Sequence, residues 1–207
     1  GQTTYGDKDA PITPGGGAVS VNGGGVVRLD ITGLMTMKSQ ARVSSNGGSA
    51  GDRAGGAGGS VWIRASTVDF AETSVLSVKG GNGHYGTHYY SGTRKYNHAG
   101  GGGGRMLLEI GAAKNNTLSP TIYVNGGNKG TSHSGASNGN GGSFVLKGIW
   151  NKTIAFHLRS ASNFRTMTSF DLYNVHTFIT LQSSSLSLLA SMKVHGLIRM
   201  QMDISSK

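Results

Sequence analysis

Alternation of apolar and polar residues, and not a helical period, dominates this chain. In the stretch VWIRA, Val61 and Ile63 fall on one side of an extended strand, while Trp62 and Arg64 fall on the other. The same period of two runs from Met192 to Ile204, and no 3.6-residue period with helix caps accompanies it. We therefore expect an all-β protein with strands near 26–31, 60–64, 75–78, 105–110, 121–124 and 143–147, and with further strands in TIAFHLRS, FDLYNVHTFITLQ, SSSLSLLA and KVHGLIRMQMDI.

These strands recur in a unit bounded by glycine pairs. Three copies of similar length span residues 24–48, 58–81 and 103–127, and a fourth begins at residue 141. Each copy opens with Gly-Gly and a strand, continues through a polar link to a second strand, and the first three close on Gly-Gly. The loops between copies differ in length, and a constant unit with variable loops is typical of a repeat stack.

The repeat predicts a right-handed parallel β-helix (β-solenoid) with Gly-rich corners and variable loops. Short strands at this spacing also occur in β-sandwiches, but the fixed unit with loops on one side favours the solenoid. Glycine at the corners is expected to supply positive φ and close packing between coils. We divide the chain into an extended N-terminal strap (1–14), the Gly-Gly-bounded repeats (15–150) and C-terminal β coils without Gly-Gly pairs (151–207), with a separate capping sandwich as the alternative for the last part.

Composition narrows the functional classes. The chain has 207 residues, of which 36 are Gly and none is Cys, so a disulfide framework and thiolate metal sites are excluded. Charged residues make up 14% and the net charge is +10, but the cations are scattered. We expect no nucleic-acid partner and no membrane insertion, because no apolar run approaches the length of a membrane span. Sequons at Asn115 and Asn151 make N-glycosylation possible and are compatible with secretion.

Candidate catalytic and cofactor chemistry is sparse. No Walker loop is present, and the GxGxxG-like strings lack the strand-to-helix context of a dinucleotide site. Parallel β-helix enzymes that cut acidic polysaccharides need clustered carboxylates. This chain has only nine acids, and no local cluster of them on one strand face. We therefore predict no enzyme, no cofactor and no metal site, although stacked coils could bring distant acids together. The acids are Asp7, Asp9, Asp30, Asp52, Asp69, Glu72, Glu109, Asp171 and Asp203.

One long loop, residues 82–103, concentrates the ring side chains. Tyr offers a flat apolar body with a hydrogen-bonding tip at low entropic cost, so the loop predicts a contact surface for sugar rings or for another protein. The alternative is that the loop covers the outer face of a sheet around Trp62, which would also suit packing between subunits. The candidate contact residues are His84, Tyr85, His88, Tyr89, Tyr90, Arg94, Lys95, Tyr96 and His98.

The string GGAGGSVWIRASTVDFAETSVLSVKGGNG, followed by AGGGGGRMLLEI, resembles glycine-rich repeats of large secreted and cell-surface proteins. The resemblance covers about residues 15 to 150 and implies a parallel β-helix of pectin-lyase-like type, an extracellular scaffold or adhesin, and no activity. A more distant likeness is to phage tail-tip adhesins, whose glycine motifs form polyproline-II bundles. The alternating strands are expected to argue against such a bundle here.

Together these features predict an extracellular or cell-surface structural or adhesive module. Open solenoid ends expose unpaired backbone, and the sequence offers no polar or helical cap, so we expect a homo-oligomer or polymer, such as a filament or surface layer. The N-terminal segment is expected to act as a strap across a neighbour, and loop 82–103 to lie at a subunit contact. The alternatives are a carbohydrate-binding module for a polysaccharide or cell-surface glycan, a polysaccharide-active β-helix enzyme, and a phage-type receptor-binding adhesin.

Overall fold

A computed structural model describes residues 6–49, 51, 53–89, 93–114, 117–118, 120–130 and 136–148, and the backbone of five later strands between residues 153 and 200. Within these residues the regular structure is almost entirely β-strand, and most strand pairs are parallel. The prediction of an all-β chain with parallel sheets is therefore confirmed.

The residues that the structure describes contain fifteen strands. They are β1 (Val26–Met37), β2 (Arg42–Ser44), β3 (Ser60–Phe70), β4 (Val75–Ser77), β5 (Tyr85–Tyr89), β6 (Thr93–Asn97), β7 (Arg105–Ala113), β8 (Thr117–Leu118), β9 (Thr121–Tyr123), β10 (Ser143–Gly148), β11 (Thr153–Ser160), β12 (Ser169–Tyr173), β13 (His176–Ser183), β14 (Ser187–Lys193) and β15 (Leu197–Met200). Each of the six strand positions predicted before residue 150 holds a strand.

Two sheets contain all of these strands except β5 and β6, and up to β13 the chain passes back and forth between them. Sheet A has the order β1-β3-β7-β10-β12-β15, and sheet B has the order β14-β13-β11-β9-β4-β2, with β8 also paired to β11. Each repeat therefore adds one strand to sheet A and one to sheet B, in parallel with the strand before it. In-register rows result: Leu29, Ile63, Leu108 and Leu146 lie side by side across β1, β3, β7 and β10.

The core lies where the inward faces of the two sheets meet. From sheet A, alternate residues such as Ile63, Met106 and Phe144 have no exposed surface. From sheet B, Leu76 is fully buried and Ile122 is 2% exposed, and all five belong to one apolar cluster. Alternation along each strand thus places one apolar face of each sheet in a common core, as the period of two predicts.

The glycine-rich segments form a third structural part, which we call the glycine layer. Its segments are 15–25, 45–48, 55–59, 78–83, 99–104, 124–130 and 137–142, and backbone hydrogen bonds join them without strand geometry. A continuous series of bonds runs through the layer, because each glycine N–H donates to the carbonyl of the preceding member: Gly139 to Gly127, Gly127 to Gly101, Gly101 to Gly81, Gly81 to Gly56, Gly56 to Gly48, and Gly48 to Asn22.

The direction of these bonds repeats every three residues. In segment 55–59, the N–H groups of Gly55 and Gly58 donate to segment 99–104, those of Gly56 and Gly59 donate to segment 45–48, and that of Ala57 donates to Gly16. A β-strand bonds to neighbours on two sides only, whereas three residues per turn is the periodicity of a polyproline II helix. The hydrogen-bond directions of this segment therefore have the periodicity of polyproline II packing, beside two sheets of alternating strands.

Close approach, not positive φ, explains the glycine pairs. Among the described glycines only Gly6 has a positive φ, of 93°, so the expectation that the pairs supply left-handed corners is wrong. A Cβ on Gly47, Gly81 or Gly127 would instead overlap a carbonyl group of the adjacent segment. The expected close backbone packing is thus confirmed at these three positions, which require glycine because there is no space for a side chain.

Beyond residue 150 the strands continue both sheets before the pairing direction changes. The strands β11, β12 and β13 pair in parallel, as expected for further coils, but β14 and β15 pair antiparallel to β13 and β12. These two strands therefore end the parallel pairing of the two sheets, and whether residues 151–207 form further coils or a capping sandwich stays a prediction. The described residues of the alternation from Met192 to Ile204 belong to two strands, since β14 ends at Lys193 and β15 covers Leu197–Met200.

Candidate contact surface

The Tyr- and His-rich loop forms a β-hairpin of its own. Its strands β5 and β6 pair antiparallel and make a separate two-stranded sheet. The backbone pairs place His88 opposite Arg94, and Lys95 opposite Thr87. Tyr85, Tyr89 and Tyr96 also lie in these two strands, whereas Tyr90 lies outside the described residues. The hairpin thus brings most of the candidate contact residues into one small sheet.

The base of the hairpin is fixed to the glycine layer. His84 N–H donates to Arg53 C=O at 3.0 Å, and His98 N–H donates to His84 C=O at 3.0 Å. From segment 124–130 of the glycine layer, Gly130 N–H donates to His98 C=O at 3.1 Å. Because the two histidines at its base are held by backbone bonds on both sides, the hairpin leaves the layer from a defined position.

A turn signal in the sequence could have revealed this hairpin. The segments YGTHY and TRKYN contain β-formers on either side of Tyr90-Ser91-Gly92, and a short glycine-containing link between two such runs indicates a hairpin. The side chains of the loop alone predict a recognition surface and give no strand positions. Sequence reasoning misses the strands because glycine runs on both sides make the whole insertion resemble an irregular loop.

Trp62 lies on the outer face of sheet A and is covered by charged neighbours. The Cζ atoms of Arg28 and Arg64 lie 4.4 Å and 5.4 Å from its ring centroid, and its Nε1–H donates to Glu109 Oε2 at 2.8 Å. The Arg64 guanidinium pairs with the same carboxylate at 3.0 Å. These cation–π contacts and the ion pair account for the outward position of the half-buried ring without a covering loop.

The N-terminal segment lies across the outer face of sheet A. Thr13 C=O accepts hydrogen bonds from Ser60 Oγ at 2.6 Å and from an Arg105 guanidinium nitrogen at 2.9 Å, so the segment spans β3 and β7. Farther along, Lys147 on β10 pairs with Asp9 at 3.2 Å. Leu107 on this outward face is nevertheless completely buried. The predicted strap therefore contacts the chain's own sheet.

The carboxylate of Asp9 is held in its ionised form. Partial burial alone would raise the pKa of Asp9. Hydrogen bonds from Lys8 and Lys147 and the positive charges of both lysines lower it by more, so the pKa lies below its ordinary value. The Lys8 ammonium lies 2.9 Å from one carboxylate oxygen. Asp9 thus links the N-terminal segment to β10 through an ion pair.

Several of the acidic residues lie in ion pairs, and two of them, Asp30 and Glu109, share Arg64. Asp30 pairs with Arg28 at 2.9 Å, and Asp69 pairs with Lys114 at 3.0 Å. Asp7 accepts a backbone hydrogen bond from Asp9 N–H at 2.8 Å. Among the described residues no group of three His, Asp or Glu side chains could hold a metal ion. The side chains of Asp52, Asp171 and Asp203 are outside the described residues.

Two further sequence predictions concern sites of modification and the membrane. The sequons at Asn115 and Asn151 fall outside the described residues, so their use stays a prediction. Among the residues that the structure describes, no helix has the length and apolar character needed to cross a lipid bilayer.

No family model, no curated protein and no solved structure matches this chain.

Proposed function

We propose that this chain is a non-enzymatic extracellular structural or adhesive scaffold, built as a right-handed β-solenoid that self-assembles into a filament or surface layer. The observation that carries the proposal is the alternation of the chain between two parallel sheets, one strand to each per repeat. In the solenoid, sheets A and B form two sides of every coil and the glycine layer forms the third. Such a stack is a rigid body that can be extended by repetition and that tolerates loops of different length.

The use of the acidic residues supports a structural role over catalysis. General acid–base chemistry on a polysaccharide needs two carboxylates facing one substrate. Here Asp30 and Glu109 both contact Arg64, and Glu109 also accepts from the Trp62 indole. These carboxylates stabilise the outer face of sheet A, where neighbouring strands would otherwise carry unpaired charge.

Carbohydrate binding is the second candidate function, and the hairpin supports it. Its sheet is separate from sheets A and B, and it carries Tyr, His, Arg and Lys on a base fixed by backbone bonds. Aromatic rings beside hydrogen-bonding groups are suited to sugar rings. In this alternative the solenoid positions the hairpin, and the hairpin binds a polysaccharide or a cell-surface glycan.

One experiment separates the two candidates. The intact chain is compared with a variant in which residues 85–97 are replaced by Gly-Ser-Gly, because β5 and β6 pair only with each other and sheets A and B keep their pairs. Sedimentation velocity and negative-stain microscopy measure assembly, and binding to immobilised acidic and neutral polysaccharides is measured in parallel.

The scaffold proposal predicts ordered polymers of the intact chain and no selective binding of polysaccharide. A monodisperse 21.4 kDa monomer that binds one polysaccharide selectively, and loses that binding with the hairpin, would contradict the scaffold and support the binding module. Hydrolysis or lyase products from any of the polysaccharides would contradict both.

A further inference from the structure

The outer edge of β1 is an open end of the apolar core. In the part of the chain that the structure describes, sheet A begins with β1, and β1 pairs with β3 alone. The inward residues Val27, Leu29 and Ile31 are half-exposed, whereas their neighbours in register on β3, Val61 and Ile63, have no exposed surface. Exposed apolar residues beside an unpaired strand edge are a site for pairing with another chain.

The backbone of β1 presents free hydrogen-bonding groups at this edge. Gly25 C=O accepts from Ser60 N–H, so odd-numbered residues of this stretch direct their backbone groups towards β3. In a strand of a parallel sheet, the residues between them direct their backbone N–H and C=O groups to the other side of the strand. Arg28 and Asp30 therefore face the open edge with both N–H and C=O.

The side chains along this edge are complementary to themselves in one antiparallel register. If Leu29 lies opposite Leu29 of a second copy, Arg28 lies opposite Asp30, Asp30 opposite Arg28, and Val27 opposite Ile31. Both charged side chains are 47% exposed; they pair with each other at 2.9 Å along β1, and the second copy would add an opposite charge beside each of them. Opposite charges in directly opposed positions stabilise an antiparallel pair.

Neighbouring registers are unfavourable for physical reasons. Sliding one strand along the other by two residues keeps the same residues facing inward. In one direction it places Arg28 opposite Arg28, and in the other it places Asp30 opposite Asp30, and like charges in these positions destabilise the pair. Sliding one strand by a single residue would place the apolar residues of one copy opposite the charged residues of the other. All of these antiparallel registers close as twofold dimers, and among them the register with Leu29 on the symmetry axis is the one that pairs both charged residues with the opposite charge.

We propose that two copies of this chain associate end to end through antiparallel pairing of their β1 edges, about a twofold axis at Leu29. The contact joins the open ends of two cores and gives each sheet A a continuation across the axis. It specifies one interface of the proposed scaffold, and only its role in a larger assembly rests on that proposal.

A charge-reversal experiment tests the pairing. In Arg28→Glu alone, two like-charge contacts replace two ion pairs in each dimer, and in Asp30→Arg the same occurs with the opposite sign. We expect each variant alone to associate at least about tenfold more weakly than the parent chain in sedimentation velocity. An equimolar mixture of the two variants is expected to recover association. In the mixed dimer the glutamate at position 28 of one variant faces the arginine at position 30 of the other, and the unchanged Asp30 faces the unchanged Arg28.

Recovery on mixing separates this contact from damage within one chain. Arg28 also stacks on Trp62 and Asp30 also lies near Arg64, and such internal losses would persist in the mixture. Lys129→Glu, at an exposed position in the glycine layer, is the control for the change in net charge and should associate like the parent chain. Equal association of Arg28→Glu and the parent chain, or no recovery in the mixture, would overturn the proposal.

Single cysteines report the register directly, because the chain has none of its own. Leu29→Cys would lie opposite itself in a pair without ladder hydrogen bonds, where Cα atoms are about 4.5 Å apart and within disulfide range. Val27→Cys would lie opposite Ile31 and has no thiol partner. Under mild oxidation we expect covalent dimers from Leu29→Cys and none from Val27→Cys.

The outcomes for the interface and for the scaffold are distinguishable. A covalent dimer of the Leu29→Cys variant that does not polymerise supports the β1 contact and contradicts the filament. Polymers that persist unchanged in Arg28→Glu, or equal crosslinking of Val27→Cys and Leu29→Cys, overturn the β1 contact and leave the scaffold proposal standing.

Discussion

The two adjacent glycines Gly101 and Gly102 provide a sharp test of the glycine layer. Gly101 is buried between two neighbouring segments: its N–H donates to Gly81 C=O at 2.8 Å, and a Cβ in its place would overlap the carbonyl group of Gly56. For Gly102, the nearest atom to an added Cβ is Asn140 O at 3.8 Å, which is ordinary van der Waals contact. Alanine is therefore excluded sterically at one position and accepted at the next.

The expected energies have opposite signs. In Gly101→Ala the new methyl lies well inside the ~3.5 Å contact distance of backbone atoms, which are held by their own hydrogen bonds, so we expect a loss of about 3 kcal/mol. In Gly102→Ala the φ is compatible with alanine, and the smaller entropy of the unfolded chain stabilises the protein by about 0.5 kcal/mol.

Urea denaturation followed by far-UV circular dichroism measures both variants against the parent chain. At a slope of about 1–3 kcal/mol/M, the two expected values separate the midpoints by more than about 1 M. If positive φ were the reason for these glycines, both variants would be destabilised. Free energies of unfolding within about 1 kcal/mol of each other would refute the steric account of the layer.

Three further substitutions test individual contacts. Asn46→Ala should lower the free energy of unfolding by about 2 kcal/mol, because Asn46 Oδ1 accepts a hydrogen bond from the buried Ser77 hydroxyl at 2.6 Å. Asn46→Asp keeps an acceptor oxygen and should lose less, so equal losses in the two variants would contradict a role for this hydrogen bond. Lys147→Met should raise the lowered pKa of Asp9 in a carbon NMR titration, since one of the two cations that favour the carboxylate is removed. The ionised Asp9 stabilises the folded chain above the ordinary pKa of a carboxyl group, and this stabilisation is lost as the pH falls through the lowered pKa. With a higher pKa, the Lys147→Met variant should lose that stabilisation at a higher pH than the parent chain. An unchanged pKa of Asp9 would contradict the ion pair. Trp62→Phe should cost about 1 kcal/mol, since the ring stays beneath its cations but the indole hydrogen bond is lost, and no change in the urea midpoint would show that this bond contributes nothing.

The positions of the strands could be predicted from the sequence, but their lengths could not. The strand β3 continues to Phe70, beyond the predicted end near residue 64. Val61 and Ile63 are buried on one parity, whereas Val68 and Phe70 are buried on the other. The register between β1 and β3 shifts at the same place, and β7 shows the same reversal, since Leu108 and Ile110 are buried on one parity and Ala113 on the other. A pattern of period two ends at such a shift even though the strand does not.

The candidate contact residues illustrate a different limit. Their chemistry is visible in the sequence, because Tyr, His and cations stand together between glycine runs. Their arrangement depends on the pairing of β5 with β6 and on the bonds that hold His84 and His98 at the base. Those bonds join residues from different repeats, such as Gly130 to His98, and their partners follow from the packing of the repeats against one another and not from local sequence.

The glycine layer could not be predicted because two different structures require the same residue. A left-handed corner needs glycine for its φ, and a close-packed layer needs it because any Cβ would overlap a neighbouring carbonyl. Both give Gly-Gly at a regular spacing, and only the φ values and the distances to other coils distinguish them. The layer also explains why loops of different length can follow a constant unit. Segments 78–83 and 99–104, which precede and follow the hairpin, are joined by the bonds from Gly101 to Gly81 and from Gly104 to Val78. Because both ends of the insertion are fixed by backbone hydrogen bonds within the layer, its side chains can change without altering either sheet.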